Sequence, residues 1–308
     1  MFYAMRHLLV ICFLLALTLV AFAFNETVNV QLVNVYLAAT DGNNRFVKDL
    51  QPHELLLREN GELQTIVDLS NYSAQKVRPE EKDLPLTLSF LLDISGSMAG
   101  STPAGERKID SIKKAAHKLL DELNQDDKMN AVGFHRLPKP FAAMTSEKTA
   151  IANQISLQQP ESADTALYDS LYMTLDKMRD QPGRKIIVVG SDGRDTASHV
   201  RFEELLESLR GTDITLLVLG IPSIDFGYSN TRYVLGKLAE VSGGYAFFAS
   251  ADYELSQIMQ KLRESIRSQY SVWYTPKNAA SDGSWRNIQI NCKRPGVELR
   301  YREGYYAK

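Results

Sequence analysis

The residues of this chain best suited to chemistry are Asp93, Ser95 and Ser97, which form the pattern D-x-S-x-S. The apolar run at residues 86–92 precedes them directly and predicts a buried strand that ends at the motif. One carboxylate and two hydroxyls in a tight turn are hard oxygen ligands, which suit Mg²⁺, Mn²⁺ or Ca²⁺ better than zinc or copper. Open α/β sheets bind ligands at the carboxyl ends of their strands. The motif therefore predicts a divalent cation site at the edge of a sheet.

Two further segments place oxygen-bearing side chains where the same edge is expected. Asp192 follows the apolar run at residues 186–189 inside a Gly-Ser-Asp-Gly turn, and Thr165 opens a helical pattern at residues 165–178. Taken alone, Thr165 is an ordinary helix cap and Asp192 an ordinary turn residue. All three segments together, in this order along the chain, favour one shared cation site.

The elements that must position these residues alternate between strand and helix. Apolar runs of strand length occur at residues 86–92, 129–134, 186–189, 214–219 and 245–248. Apolar residues recur with a helical period at residues 109–123, 167–178 and 255–266. Continuous apolar strands separated by amphipathic helices are typical of a mostly parallel sheet that is covered on both faces. We therefore expect a doubly wound α/β domain at residues 86–270.

The segments on either side of this domain, residues 24–85 and 271–308, carry β patterns. Asn60-Gly61 lies between two strand-like stretches and is a strong signal for a hairpin. Because a single hairpin is not stable alone, we expect the two segments to pair into one small sheet or sandwich beside the α/β domain.

Residues 1–23 have the layout of a secretory signal peptide. Arg6 and His7 precede an apolar stretch at residues 8–22, and Ala-Phe-Ala at residues 21–23 is a small-x-small cleavage site. We expect cleavage and a secreted, periplasmic or cell-envelope protein that has no contact with the membrane afterwards. The alternative is an uncleaved N-terminal membrane anchor with the rest of the chain facing outside.

The composition is that of an ordinary globular protein. The 308 residues are 44% hydrophobic, with a formal net charge of -2, which gives no indication of nucleic acid or an anionic membrane as a partner. After removal of the signal peptide, Cys292 is the single remaining cysteine, so an intramolecular disulfide is excluded. Its alternation with Ile288 and Ile290 predicts a small buried strand residue rather than a reactive thiol.

In these features the chain resembles the von Willebrand factor type A domain. The metal-ion-dependent adhesion site of that family is D-x-S-x-S, then a Thr, then an Asp, and the matching residues are Asp93, Ser95, Ser97, Thr165 and Asp192. The flanking segments look like those of a bacterial, exported, von Willebrand A-related subfamily, at residues 40–42, 59–61, 269–271 and 302–307. One departure is an Asp at position 164, where many relatives have Gly; we expect this side chain to face solvent.

The resemblance implies cell adhesion or another non-catalytic protein–protein interaction. Two carboxylates against one divalent cation, with Mg²⁺ favoured over Mn²⁺ and Ca²⁺, leave the metal electrophilic and one coordination position open to water. An Asp or Glu of a protein ligand displaces that water. We therefore expect weak metal binding alone and tighter binding in the ternary complex.

Two other functions fit the same motif. A metal-dependent hydrolase requires a general base near the cation, and the nearby candidates are Asp164, Asp169 and Asp195. Ser95 stands where the haloacid-dehalogenase phosphatases have their second Asp, which argues against that chemistry. The remaining alternative is a structural module in which the metal only stabilises the fold.

Overall fold

The computed structural model describes residues 32–71, 85–102, 105–161, 164–221, 228–248 and 255–307. The predicted signal peptide at residues 1–23 lies outside this part of the chain. Within the described part, no helix combines the length and the apolar character needed to cross a bilayer. The residues Val33–Lys308 form one compact unit.

Four short strands come first along the described chain: β1 (Val33–Thr40), β2 (Leu55–Glu59), β3 (Glu62–Leu63) and β4 (Ile66–Asn71). Strands β2 and β3 pair directly across Asn60 and Gly61, whose φ angles are 49° and 83°. Positive φ at both central residues is what a two-residue type I′ turn requires. The predicted hairpin is confirmed.

The central sheet consists of β5 (Leu86–Asp93), β6 (Lys128–Phe134), β7 (Pro138–Thr145), β8 (Arg184–Ser191), β9 (Thr215–Gly220) and β10 (Ala246–Phe248). Their order is β10-β9-β8-β5-β6-β7, and every pair is parallel except β6–β7. Every residue of β5 and β8 is buried, as expected for inner strands of a sheet covered on both faces. Strand β7 was not predicted, since Pro138 and Pro140 argue against a strand except at an edge, which is where it lies.

In the described part of the chain, six helices cover the two faces of this sheet: α1 (Lys108–Glu122), α2 (Lys148–Leu157), α3 (Leu167–Arg179), α4 (Phe202–Arg210), α5 (Tyr228–Val241) and α6 (Leu255–Arg267). Apolar residues of α1, α2 and α6 form one buried cluster with the sheet. Those of α3, α4 and α5 form a second cluster on the opposite face. The doubly wound α/β prediction is therefore confirmed.

Four strands follow the last helix: β11 (Gln269–Tyr274), β12 (Trp285–Cys292), β13 (Glu298–Tyr301) and β14 (Gly304–Tyr306). They join the N-terminal strands in two antiparallel sheets, of order β13-β1-β11-β4 and β14-β12-β2-β3. Inward residues of both sheets, such as Val35, Leu57, Tyr270 and Ile288, share a third buried cluster. The expected pairing of the two chain ends is thus present.

Two finer expectations about this flanking module have different outcomes. The division into residues 24–85, 86–270 and 271–308 stays a prediction. Strand β11 starts at Gln269 and therefore crosses the predicted boundary at residue 270. Cys292 is a strand residue, as predicted, since it ends β12. Its side chain is half-buried rather than buried, and it packs against the third cluster.

Candidate metal-binding site

The candidate ligands lie at the ends of two adjacent strands, in the turn after the first of them, and in the loop before helix α3. Asp93 is the last residue of β5, and a 3₁₀ turn, Gly96–Ala99, follows with Ser95 at its N-cap. Asp192 comes directly after β8, which pairs in parallel with β5. Both carboxylates therefore leave the sheet at the same edge. Helix α3 begins at Leu167 rather than at Thr165, and its N-cap is Ala166, so Thr165 does not cap the helix as one interpretation held.

The hydrogen bonds around Asp93 show how the motif is shaped. Asp93 is fully buried, and its Oδ1 accepts a hydrogen bond from the Ser95 amide at 2.9 Å. Its Oδ2 accepts one from the Ser191 hydroxyl at 2.6 Å. The Ser95 and Ser97 hydroxyl oxygens lie 3.1 Å apart. The turn thus gathers one carboxylate and two hydroxyls beside the end of β8.

Two buried carboxylates, those of Asp93 and Asp192, carry the negative charge of the site. Asp93 and Asp192 are both 0% exposed. Burial, followed by the negative charge of Asp192, raises the pKa of Asp93 to about 6, against an ordinary value of 3.8. Because both carboxylates are buried, water does not screen the repulsion between them, and a positive ion between them would stabilise their charged forms.

One positive charge is already supplied by the chain. Lys108 is the first residue of α1, and its Nζ donates a hydrogen bond to Asp192 Oδ2 at 3.1 Å. The side chains of the two residues are 4% and 0% exposed. Sequence reasoning missed Lys108, because its place just before the first apolar position of a helix gives no indication of where a long side chain reaches.

The segment that carries Thr165 is joined to the loop after β8 by hydrogen bonds of its backbone. The Thr165 amide donates a hydrogen bond to Thr196 Oγ1 at 2.9 Å, and the Thr165 carbonyl accepts bonds from the amides of Thr196 and Ala197 at 2.8 and 3.0 Å. Thr165 is 2% exposed. The turn after Asp192 needs Gly193, which has a φ of 78°, a conformation that other residues adopt only with strain. The segment that carries Thr165 and the loop that follows Asp192 are therefore held against each other.

Two of the three acids nominated as general bases already accept hydrogen bonds from neighbouring residues. Asp169 accepts hydrogen bonds from the amides of His199 and Val200, at 2.9 and 2.8 Å from its Oδ1. Asp195 Oδ1 accepts a hydrogen bond from the Ser198 hydroxyl at 2.6 Å. Both carboxylates thus brace the segment between β8 and α4. Asp164 is exposed, as expected.

The donor set matches the chemistry of a hard divalent cation. It offers two buried carboxylates and the neighbouring hydroxyls of Ser95 and Ser97, and a lysine ammonium already lies against one of the carboxylates. Among the described residues, no three His, Cys, Asp or Glu side chains gather into a metal-binding group, so a thiolate- or imidazole-rich centre is not indicated there. A carboxylate–hydroxyl site for Mg²⁺, Mn²⁺ or Ca²⁺ fits the residues present.

Comparison with known proteins points to one family. The profile of the von Willebrand factor type A domain matches residues 88–261. Inter-alpha-trypsin inhibitor heavy chain H3 of Mus musculus is 27% identical over 220 residues, which are 65% of this chain and 23% of that protein. The chain thus spans about a quarter of the length of this curated relative.

Solved structures with a similar fold are more distant in sequence. BatB of Bacteroides thetaiotaomicron is 18% identical with a TM-score of 0.47, over 60% of this chain and 100% of that one. The mussel byssus proximal thread matrix protein 1 was solved with a zinc-occupied MIDAS (metal-ion-dependent adhesion site) motif. It is 19% identical with a TM-score of 0.48, over 62% of this chain and 47% of that one.

Proposed function

The chain belongs to the von Willebrand factor type A domain family, and from this we propose that it is a non-catalytic protein-binding module that works through a divalent cation. The residues proposed to hold the cation are Asp93, Ser95, Ser97, Thr165 and Asp192. The observation that carries the proposal is the buried pair of carboxylates beside two converging hydroxyls at one edge of the sheet. Mg²⁺ is the proposed ion, with Mn²⁺ and Ca²⁺ as alternatives for the same ligands.

The cation, when bound, would offer an open coordination position to an Asp or Glu of a protein ligand. Asp93 and Asp192 would neutralise the ion, and the uncharged Ser95 and Ser97 hydroxyls would leave it electrophilic. The bonds that Asp93 receives from Ser95 and Ser191 hold its carboxylate in place before any ion arrives. Binding rather than turnover is further supported by Asp169 and Asp195, two of the three candidate general bases, which already accept hydrogen bonds in the neighbouring segment.

We further propose that this module acts outside the cytoplasm, in the secreted or cell-envelope fraction. The support is the signal-peptide pattern of residues 1–23. Expression of the full chain followed by N-terminal sequencing of the exported product tests it. A mature N-terminus at residue 24 is expected, whereas an intact N-terminus in the membrane fraction indicates an anchor.

The experiment that tests the binding function is affinity capture from envelope and secreted fractions of the source organism. Wild type, Asp93→Ala and Asp164→Ala would be compared, each with Mg²⁺ and with EDTA, after circular dichroism has shown that all three fold. Asp164 is a matched control because it is an exposed acid next to Thr165. We expect a protein that wild type and Asp164→Ala retain in Mg²⁺, and that neither EDTA samples nor Asp93→Ala retain.

Two outcomes would replace the proposal. A folded wild type with no metal-dependent partner but with Mg²⁺-dependent hydrolysis of phosphate or carboxyl esters would establish an enzyme. Loss of folding in EDTA, with no partner in Mg²⁺, would establish a cation that only stabilises the structure.

A further inference from the structure

Lys108 stands out among the charged residues, because its buried ammonium lies against a candidate metal ligand. Lysine is almost never fully buried unless it is paired. Here the side chain is 4% exposed, and its Nζ lies 3.1 Å from Asp192 Oδ2. The Lys108 amide also donates a hydrogen bond to the Gly100 carbonyl at 2.9 Å, which ties the start of α1 to the turn that carries Ser97. The backbone of Lys108 is thus anchored beside the motif, and its side chain is buried against Asp192.

With Lys108 included, the net charge of the site changes at each binding step. Asp93 and Asp192 contribute two negative charges and Lys108 one positive charge, which leaves a net charge of minus one. A divalent cation brings the site to plus one, and a carboxylate from a ligand then brings it to zero. Without Lys108, the cation alone neutralises the site, and a ligand carboxylate adds an excess negative charge.

We propose that the positive charge of Lys108 weakens the binding of the metal alone and strengthens the binding of the acidic ligand to the metal-loaded site. The metal and the ligand therefore bind cooperatively. This inference rests on the proposed cation site. It assigns to Lys108 a positioning and specificity role rather than direct contact with the metal. In the metal-free protein, the same ammonium compensates Asp192 and lets two buried acids exist side by side.

The size of the effect follows from electrostatics. An ion held by Asp192 would lie within about 8 Å of the Lys108 Nζ, given the short contact between Nζ and the carboxylate. At an effective dielectric constant of about 20, the repulsion between these charges exceeds what a tenfold change in affinity requires. Removal of the lysine charge should therefore tighten Mg²⁺ binding at least about tenfold.

The test is isothermal titration of EDTA-stripped full chain with Mg²⁺, for wild type, Lys108→Met and Lys113→Met. Lys113 is a matched control: it is buried on the same helix, and its Nζ donates to the Ser156 carbonyl at 3.0 Å, not to the candidate site. We expect Lys108→Met to bind Mg²⁺ at least about tenfold more tightly than wild type, and Lys113→Met to bind as wild type does. In added acetate, whose carboxylate stands for the ligand side chain, wild type should gain more Mg²⁺ affinity than Lys108→Met.

The outcomes separate this inference from the proposed function. If wild type binds Mg²⁺ and folded Lys108→Met binds equally or more weakly, the role of Lys108 is wrong and the cation site stands. If neither wild type nor folded Lys108→Met binds Mg²⁺, with or without acetate, the cation site itself is wrong and the role of Lys108 falls with it. Should Lys108→Met fail to fold in EDTA, Lys108→Arg decides: it keeps the charge and should keep the weak Mg²⁺ affinity, and tighter binding by this variant would overturn the inference.

Discussion

Replacement of Asp93 by Asn removes a candidate metal ligand, and yet it should stabilise the metal-free protein. In the folded state, burial and the charge of Asp192 raise the pKa of Asp93 from 3.8 to about 6. A group with a raised folded pKa holds its proton more tightly in the folded chain than in the unfolded chain. The contribution of Asp93 to the stability of wild type therefore falls as the pH rises from about 4 to about 6 and stays low above that range.

The magnitude follows from the shift in the pKa of Asp93. A rise from 3.8 to about 6 is roughly two units, and each unit corresponds to about 1.4 kcal/mol of unfolding free energy. Asn carries no charge, so Asp93→Asn should be more stable than wild type by about 2–3 kcal/mol at pH 7.5 in EDTA. For a chain of this size, that corresponds to an increase in Tm of roughly 3–5 °C. The difference should shrink towards zero near pH 4.

Thermal unfolding followed by calorimetry, in EDTA at pH 7.5, 6 and 4.5, measures this difference. Addition of Mg²⁺ at pH 7.5 should raise the Tm of wild type and leave the Tm of Asp93→Asn unchanged. If Asp93→Asn is no more stable than wild type at pH 7.5 in EDTA, or if the difference does not depend on pH, the account of two repelling buried acids is wrong.

Three further predictions concern other parts of the molecule. Asp192→Asn removes the negative charge that pairs with the buried Lys108 ammonium, which costs about 3–5 kcal/mol, and it also relieves the repulsion that Asp192 exerts on Asp93. The unfolding free energy in EDTA, measured by urea denaturation, should therefore fall by about 1–3 kcal/mol, and an unchanged or higher value would contradict the pairing. Hydrogen bonding to Arg294 lowers the pKa of Glu54 to about 2, so its stabilisation is present above pH 4.5 and is lost as the pH falls towards 2. Glu54→Gln should accordingly show a shallower loss of stability in acid than wild type, and an equally steep loss would count against this ion pair. A Cβ at Gly190 would lie 2.5 Å from Ile112 Cγ2, so Gly190→Ala should cost about 1–3 kcal/mol in urea denaturation, whereas Gly236→Ala in α5, with open space around it, should be neutral or stabilising.

The sequence was most informative where burial imposes a continuous pattern. Strands β5 and β8 are buried along their whole length, so their apolar runs stand out, and the residue after each run falls at the edge of the sheet. That is why Asp93 and Asp192 could be placed together from the sequence. The Asn60-Gly61 hairpin was predictable for a local reason, because few residues accept positive φ at both positions.

Other features depend on contacts that no local pattern records. Strand β7 contains two prolines and lies at the edge of the sheet, and its apolar run covers only residues 141–144, so it shows neither a strand-length apolar run nor alternation. The bond from Ser191 to Asp93 and the reach of Lys108 to Asp192 join residues 98 and 84 positions apart. Such contacts follow from the packing of α1 and β8 against β5, and they decide the charge of the candidate site.

The central claim is that the residues at this edge of the sheet hold a divalent cation, and anomalous diffraction from crystals grown with Mn²⁺ tests it most directly. The account predicts an anomalous peak within about 2.2 Å of oxygen atoms of Asp93, Ser95 and Ser97, the distance typical of a small hard cation. Crystals of Asp93→Ala grown in the same way should lack that peak. A wild-type crystal with no peak at this edge, or with Mn²⁺ held elsewhere, would contradict the account.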